Sequence, residues 1–407
     1  MMKLSQFGPG ALVAAAFIGP GTVVTASLAG ADYGYALLWA LVFSVFACLI
    51  LQEMSARIGL VTQAGLGENI RNNLTSGWLR CLALLLIFSA IAIGNSVYQG
   101  GNLSGASLGA YELLGPVPLV DKWLSNAWAV VIGVVAFLVL WSGNARVIEK
   151  SLIAMVLLMS VAFLGTFFLT DADWADVFNG IFVPSMPSGA TLTVVALIGT
   201  TVVPYNIFLH ASSISKKWQS TSDLPAVRRD LFVSIPLGGL ISMAIVATAA
   251  SAFFGHQITI SSAADLAVSL EPLFGDAATY LMAIGLFAAG ISSATTAPLA
   301  SAYALNGIMG WSVNLKSRAF RAVWLTILVL GVAISSLGIE PVTVIWFAQV
   351  ANGVLLPVIV GFLWWLSCGN LLGQNRNSWW QNLLAAMVFI ISVALSARSL
   401  GSAFGAF

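Results

Sequence analysis

Residues 17–24 read Phe17-Ile18-Gly19-Pro20-Gly21-Thr22-Val23-Val24, and residues 197–206 read Leu197-Ile198-Gly199-Thr200-Thr201-Val202-Val203-Pro204-Tyr205-Asn206. Each stretch sits near the middle of a long apolar run and carries helix breakers there. Proline lacks a backbone donor and clashes with the preceding turn, and glycine lets the chain leave the helix without a steric penalty. In hydrocarbon the freed backbone groups must find partners, so such a break is tolerated only where it is buried in protein or lines a polar cavity. The two stretches also echo each other: Ile-Gly followed closely by Thr-Val-Val occurs in both. A simple membrane anchor needs neither the breaks nor the echo.

The surrounding chain has 407 residues, 59% of them hydrophobic and only 8% charged. A soluble protein carries about 25% charged residues to cover its surface, so a cytosolic enzyme and a secreted disulfide scaffold are both excluded. The net charge of +1 supplies no basic excess for nucleic acid. Cys48, Cys81 and Cys368 have no paired or metal-ligand spacing and read as packed thiols. No Gly-x-x-x-x-Gly-Lys-Ser/Thr loop is present, which argues against an ATP-driven pump. The chain is not expected to be an enzyme or to carry a cofactor. Its expected partners are the lipid bilayer and a small solute or divalent cation.

Apolar runs long enough to cross the bilayer fall near 8–30, 35–57, 78–109, 123–142, 148–170, 189–213, 231–254, 277–309, 319–337, 341–367 and 379–402. The first run follows Lys3 but stays apolar past Gly19-Pro20-Gly21 to Gly30, so it reads as a retained span rather than a cleaved signal. Lys and Arg stay on the cytoplasmic side. With the N-terminus inside, Lys3, Arg57, Arg71, Arg80, Arg146, Lys150, Lys216, Lys217, Arg228, Arg229, Lys316, Arg318, Arg321 and Arg376 are cytoplasmic, which is 14 of the 16 cations and leaves Lys122 and Arg398 outside. The expectation is a multi-pass inner-membrane protein, all α-helical, with its C-terminus outside. The acidic segment Asp171, Asp173, Asp176 reads as a solvated external loop, and Trp39, Trp78, Trp123, Trp128, Trp141, Trp379 and Trp380 as interfacial anchors.

The broken runs are the first and the sixth. Repeats of five spans are inverted in the membrane, and interrupted helices at matching positions of two inverted halves mark a transport site at the midplane. The expected organisation is a first repeat over 1–170, a second over 171–367, and an eleventh helix in 368–407.

These broken helices resemble the Nramp family of proton-coupled divalent metal transporters. The likeness runs from Gly19-Pro20-Gly21 through Ala29-Gly30-Ala31-Asp32-Tyr33-Gly34, then Leu51-Gln52-Glu53-Met54-Ser55-Ala56-Arg57-Ile58-Gly59, then Val203-Pro204-Tyr205-Asn206-Ile207-Phe208-Leu209-His210. It continues in Gly290-Ile291-Ser292-Ser293, and in Ala348-Gln349-Val350 followed by Leu355-Leu356-Pro357. The resemblance implies a LeuT-type fold with two inverted five-helix repeats plus an eleventh helix, and alternating access around unwound first and sixth helices. It also implies a substrate site at Gly19, Thr22, Thr200, Val203, Tyr205 and Gln349.

The departures fall on that site. Where the family has an Asp and an Asn, this chain has Gly19 and Thr22. Where it has a Met and a nearby carbonyl, the matching positions are Val203 and Thr200, and the His of its Met-Pro-His motif is Tyr205. Gln349 and His210 are retained. No intramembrane acid stands in the third span, where Asn95, Tyr98, Gln99 and Asn102 lie.

A dication in a low-dielectric cavity needs formal negative charge or a retained water shell, and a thioether favours softer metals. The altered set therefore favours magnesium over manganese or iron and holds no strong metal ligand. It suits a small polar organic solute or an anion equally well, and a non-transporting sensor or scaffold is a third reading. His210, Glu53 and Asn206 are the candidates for coupling or gating. Glu53 reads either as a functional acid or as an ion-pair partner of Arg57 one turn away. Ser292, Ser293, Thr295 and Thr296 read as packing, and the third-span polar face as interhelical glue.

Overall fold

A computed structural model describes residues 18–74, 77–117, 125–142, 146–170, 172–256, 259–311 and 314–403. The first part of the expected first span, Lys3, Lys122, Trp123 and Asp171 lie outside the described residues. The helices are α1 Pro20–Tyr33, α2 Leu38–Thr62, α3 Leu66–Asn73, α4 Gly77–Leu114, α5 Ala127–Ser142, α6 Arg146–Leu169, α7 Trp174–Phe182 and α8 Thr191–Thr201. They continue as α9 Pro204–Lys217, α10 Leu224–Phe253, α11 Ala263–Ala267, α12 Glu271–Phe274, α13 Ala278–Met309, α14 Arg318–Ser335, α15 Pro341–Cys368 and α16 Trp379–Ala403. No strand occurs among the described residues.

One helix, or in one case a pair, falls on each of the eleven apolar runs. Eight of these elements are long and apolar enough to cross a membrane, with α8 and α9 counted together. At the break expected in the first run, Gly19 is extended (φ −103°, ψ −177°) and α1 opens on Pro20, while the stretch before residue 18 lies outside the described residues. The break in the sixth run appears at Val202 (φ −103°, ψ 76°) and Val203 (φ −83°, ψ 122°), with α9 opening on Pro204. Proline suits the first helical position because its fixed φ matches the helix and its missing donor would have had no partner there.

The broken pair lies at the centre of the bundle. In its most apolar window 89% of residues are buried, against 28% in α16, which is therefore peripheral. Lipid tails are as apolar as leucine, so helices in a membrane associate through close packing of small residues and hydrogen bonds. Helix α8 accordingly lies against α15 backbone to backbone. A Cβ on Gly199 would overlap the Gln349 carbonyl oxygen, and one on Gly353 would overlap that of Val195. Helix α2 approaches α9 the same way, with Gly59 against the Ala211 carbonyl and Ser55 Oγ donating to Ile207 O at 2.6 Å.

Two expectations need correction. The acidic segment is not only loop: Asp173 caps the short helix α7, accepting from Ala175 N at 2.9 Å and Asp176 N at 3.4 Å. This is the usual service of a carboxylate to unpaired N–H groups at a helix start. The tryptophans also divide. Trp78, Trp141, Trp379 and Trp380 are exposed as anchors would be, but Trp39 Nε1 donates to Ser185 O and Trp128 Nε1 to Gly115 O, so these two tie loops down.

The α8–α15 contact leaves no room for a methyl group. Gly199→Ala is expected to destabilise the protein by about 1–3 kcal/mol through overpacking. Gly77→Ala, where a Cβ would meet nothing within 4 Å, should leave thermal unfolding in detergent unchanged. Equal melting temperatures for the two variants would contradict this packing.

Candidate functional site

The two breaks meet. Thr22, in the first turn of α1, and Thr200, in the last turn of α8, hydrogen-bond through their hydroxyls at 2.8 Å, and both are buried. Gly19 O accepts the first bonds of α1, from Thr22 N at 3.1 Å and Val23 N at 3.2 Å. Gln349 of α15 lies directly over Gly21, where a Cβ would overlap its Nε2. Its Nε2 donates to Ile345 O at 3.3 Å, while its Oε1 has no protein hydrogen-bond partner. Five of the six expected substrate-site residues thus share one buried neighbourhood: Gly19, Thr22, Thr200 and Gln349 through these contacts, and Val203 as the extended residue that joins α8 to α9.

Tyr205, the sixth, is fully buried one residue into α9, where its ring meets the edge of Tyr98 from α4 at 5.4 Å between centroids. Asn206 follows, buried, with neither side-chain Oδ1 nor Nδ2 bonded to protein. His210 is buried one turn further along α9. Thr201 turns away from the site, since its hydroxyl donates to Leu197 O in its own helix at 3.1 Å.

The remaining polar groups of α4 serve packing. Asn95 Nδ2 donates to Ser301 Oγ at 2.7 Å and Gln99 Nε2 to Ala294 O at 3.0 Å, so both hold α13. On α13, Thr295 and Thr296 return their hydroxyl protons to Ser292 O.

Glu53 takes the ion-pair reading and extends it. Its Oε2 lies 3.0 Å from Arg57 Nη2, and its Oε1 accepts from Arg228 Nη2 at 2.7 Å and Nε at 3.0 Å. Arg57 also donates to Asn375 O at 2.7 Å and Asn377 Oδ1 at 2.6 Å. The cluster therefore joins α2, the start of α10 and the segment before α16. It is a clasp between helices.

Two participants were not singled out in the sequence. Asn352 of α15 is buried, with Nδ2 3.5 Å from Gly199 O and Oδ1 without a protein partner. Its position three residues after Gln349 puts it on the same helix face, which was a usable signal. Arg228 lies 175 residues from Glu53, and no local pattern connects them.

Chemically the site is neutral. Among the described residues no group of three or more His, Cys, Asp or Glu comes together. The oxygens available are the Thr22 and Thr200 hydroxyls, the Gln349 and Asn352 amides, and the last carbonyls of α8.

The profile described as Natural resistance-associated macrophage protein-like (Nramp) matches residues 10–402. Among curated relatives, the divalent metal cation transporter MntH of Verminephrobacter eiseniae is 26% identical over 412 residues, covering 99% of this chain and 90% of the relative. MntH of Klebsiella pneumoniae is 29% identical over 405 residues, covering 97% and 93%. Among solved structures, a manganese transporter of Eremococcus coleocola superposes with a TM-score of 0.76 at 23% identity, covering 98% of this chain and 86% of that one. MhsT in complex with L-phenylalanine gives a TM-score of 0.64 at 14% identity, covering 97% and 98%.

Two outcomes follow from this geometry. Thr22→Val and Thr200→Val, singly and together, form a cycle whose thermal-unfolding energies should be non-additive by about 0.5–1.5 kcal/mol, because the second substitution removes a bond already lost; additive losses would mean no bond. At the clasp, Glu53→Gln strands Arg57, whose side chain is 2% exposed, whereas Arg228→Gln leaves the Glu53–Arg57 pair intact. The first should cost about 3–5 kcal/mol and the second much less, and a reversed order of melting temperatures would refute the arrangement.

Proposed function

The chain belongs to the Nramp family and has the LeuT-type fold, and from this premise we propose that it carries a divalent cation across the inner membrane by alternating access at the α1 and α8–α9 breaks, with magnesium favoured over manganese or iron. It acts as a carrier rather than an enzyme. The observation that carries this reading is the Thr22–Thr200 contact beside Gln349, which brings both broken helices to one buried point lined by neutral oxygens.

The choice of ion rests on what that point lacks. Gly19 stands where the resemblance puts a carboxylate and Val203 where it puts a thioether. Without the carboxylate the site offers no formal charge against the cost of dehydrating a dication; without sulfur it has no preference for softer metals. Magnesium dehydrates reluctantly and usually keeps several waters, so hydroxyls, amides and carbonyls can hold it through its water shell. The C-terminal end of α8 carries partial negative charge, which suits a cation. Thr22, Thr200, Tyr205 and Gln349 are assigned to substrate, and Gly19 and Val203 to the backbone openings. His210 and Asn206 are assigned to coupling.

Within this reading residues 1–170 and 171–367 are the two inverted repeats and 368–407 holds the added helix. The N-terminus is cytoplasmic and the C-terminus external, which a reporter fused to the C-terminus reads directly.

One observation favours a second reading, a small polar organic solute or an anion. Both α1 and α9 open at the site, and their N-termini carry partial positive charge. The two readings separate in proteoliposomes. Magnesium uptake exceeding manganese uptake, with Gly19→Asp plus Val203→Met gaining manganese binding in calorimetry, is the expected result. Transport of a metabolite panel but of neither metal would overturn the cation reading.

A further inference from the structure

Helices α2, α10 and α16 leave a groove of about 410 Å³ between them. Its walls are apolar: Phe46, Leu49, Ile50 and Met54 from α2, Phe232 from α10 and Leu384 from α16. Phe46 and Phe232 are exposed, so the groove opens onto the lipid-facing surface. Glu53, Arg228 and Gln381 also line it and make it partly polar. Phe46 precedes Glu53 by seven residues of helix, so at 1.5 Å per residue the apolar wall extends about 10 Å from the charged cluster. Arg228 stands only four residues from the start of α10, about 6 Å along the helix by the same rise. The charged part is therefore near the end of the span and the apolar part deeper.

The charges do not balance. Two guanidiniums, Arg57 and Arg228, share the single Glu53 carboxylate. Arg57 turns its other bonds to the neutral oxygens of Asn375 and Asn377. One positive charge is left over, and it is presented by Arg228, because the Arg228 side chain is 41% exposed and that of Arg57 only 2%. Arg228 donates through Nε and Nη2 to one carboxylate oxygen, so Nη1 remains for a second acceptor. The exposed Arg229 follows it in sequence.

We propose that this groove is a binding site for one anionic phospholipid of the cytoplasmic leaflet, with the phosphate on Arg228 and an acyl chain along the wall from Ile50 to Phe46. Basic pockets between membrane helices on the cytoplasmic side hold such headgroups, and an arginine fork matches phosphate geometry. A zwitterionic lipid would bring its ammonium group to an already cationic cluster. The site rests on the orientation inferred above and is independent of the transported substrate. It bears on function by position, since the lipid would bridge α2 and α10 at the Glu53 clasp.

Native mass spectrometry and thermal unfolding of the full chain, titrated with phosphatidylglycerol or phosphatidylcholine, test this. Phosphatidylglycerol should be retained at one molecule per chain and raise the melting temperature, and phosphatidylcholine should do neither. Arg228→Gln should weaken retention about tenfold, the loss of roughly one charge-assisted bond. Leu384→Trp should abolish retention by filling the groove with the charges intact. Phe232→Glu, on the exposed wall of the groove one helical turn from Arg228, should abolish it by repelling the phosphate. Equal retention of both lipids would overturn the proposal, as would retention untouched by Leu384→Trp and Phe232→Glu. So would glycerol 3-phosphate stabilising the protein as well as the lipid does, since the groove would then contribute nothing. Loss of transport activity would alter none of these readouts, so failure of the transport reading is distinguishable from failure of this one.

Discussion

Every backbone group within a bilayer must have a partner inside the protein, and the structure is organised around the two places where helices fail to supply one. At Gly19 the carbonyl folds back onto the first turn of α1, and at Val202–Val203 the chain is extended between α8 and α9. Around the second, Val202 N donates to Ile198 O at 2.8 Å and Asn206 N to Val203 O at 3.1 Å, and α8 lies so close to α15 that Gly199 and Gly353 admit no side chain. The same closeness brings Gln349 over Gly21 and Asn352 to Gly199 O. The neutral polar neighbourhood follows from the backbone constraint, and it would not exist around continuous helices.

The Thr22–Thr200 hydrogen bond makes that neighbourhood one site rather than two defects. It joins residues 178 positions apart, one on α1 and one on α8. Its strength is modest, as interhelical hydrogen bonds in membranes usually are. Its value is positional, since it ties the opening turn of one half-helix to the closing turn of another. The neighbourhood built this way offers dipoles and hydroxyls rather than charge. The charged chemistry lies elsewhere, at the Glu53 clasp, where it joins helices.

Much of this was legible before any coordinates. The eleven apolar runs each carry a helix or a helix pair, α1 opens at Gly19-Pro20, and the sixth run breaks before Pro204. The resemblance named Gly19, Thr22, Thr200, Val203, Tyr205 and Gln349 as one set, and the fold brings Thr22 to Thr200 and Gln349 to Gly21. Partnerships were less legible. Glu53 could be matched to Arg57 because four residues is one helical turn, but Arg228 reaches the same carboxylate from 175 residues away. Trp39 and Trp128 have the composition of membrane anchors and the geometry of loop ties, because a tryptophan's apolar body and donor suit either surrounding. The acidic segment concealed a capped helix for a similar reason: aspartate serves solvent and an N-cap equally well.

The sequence by itself determined the solvent, where the apolar helices fall and where α1 and α9 open on proline. Hydrophobicity, proline and glycine act locally and need no partner to be read. Only the tertiary structure decided which polar groups meet: that Thr22 bonds Thr200, that Gln349 covers Gly21, that Thr201 turns back on its own helix, and that one carboxylate serves two arginines. Those outcomes depend on helix rotation and on approaches of a few ångströms between residues far apart in the chain. Such distances are set by how small side chains pack against facing backbones, and no local pattern encodes them.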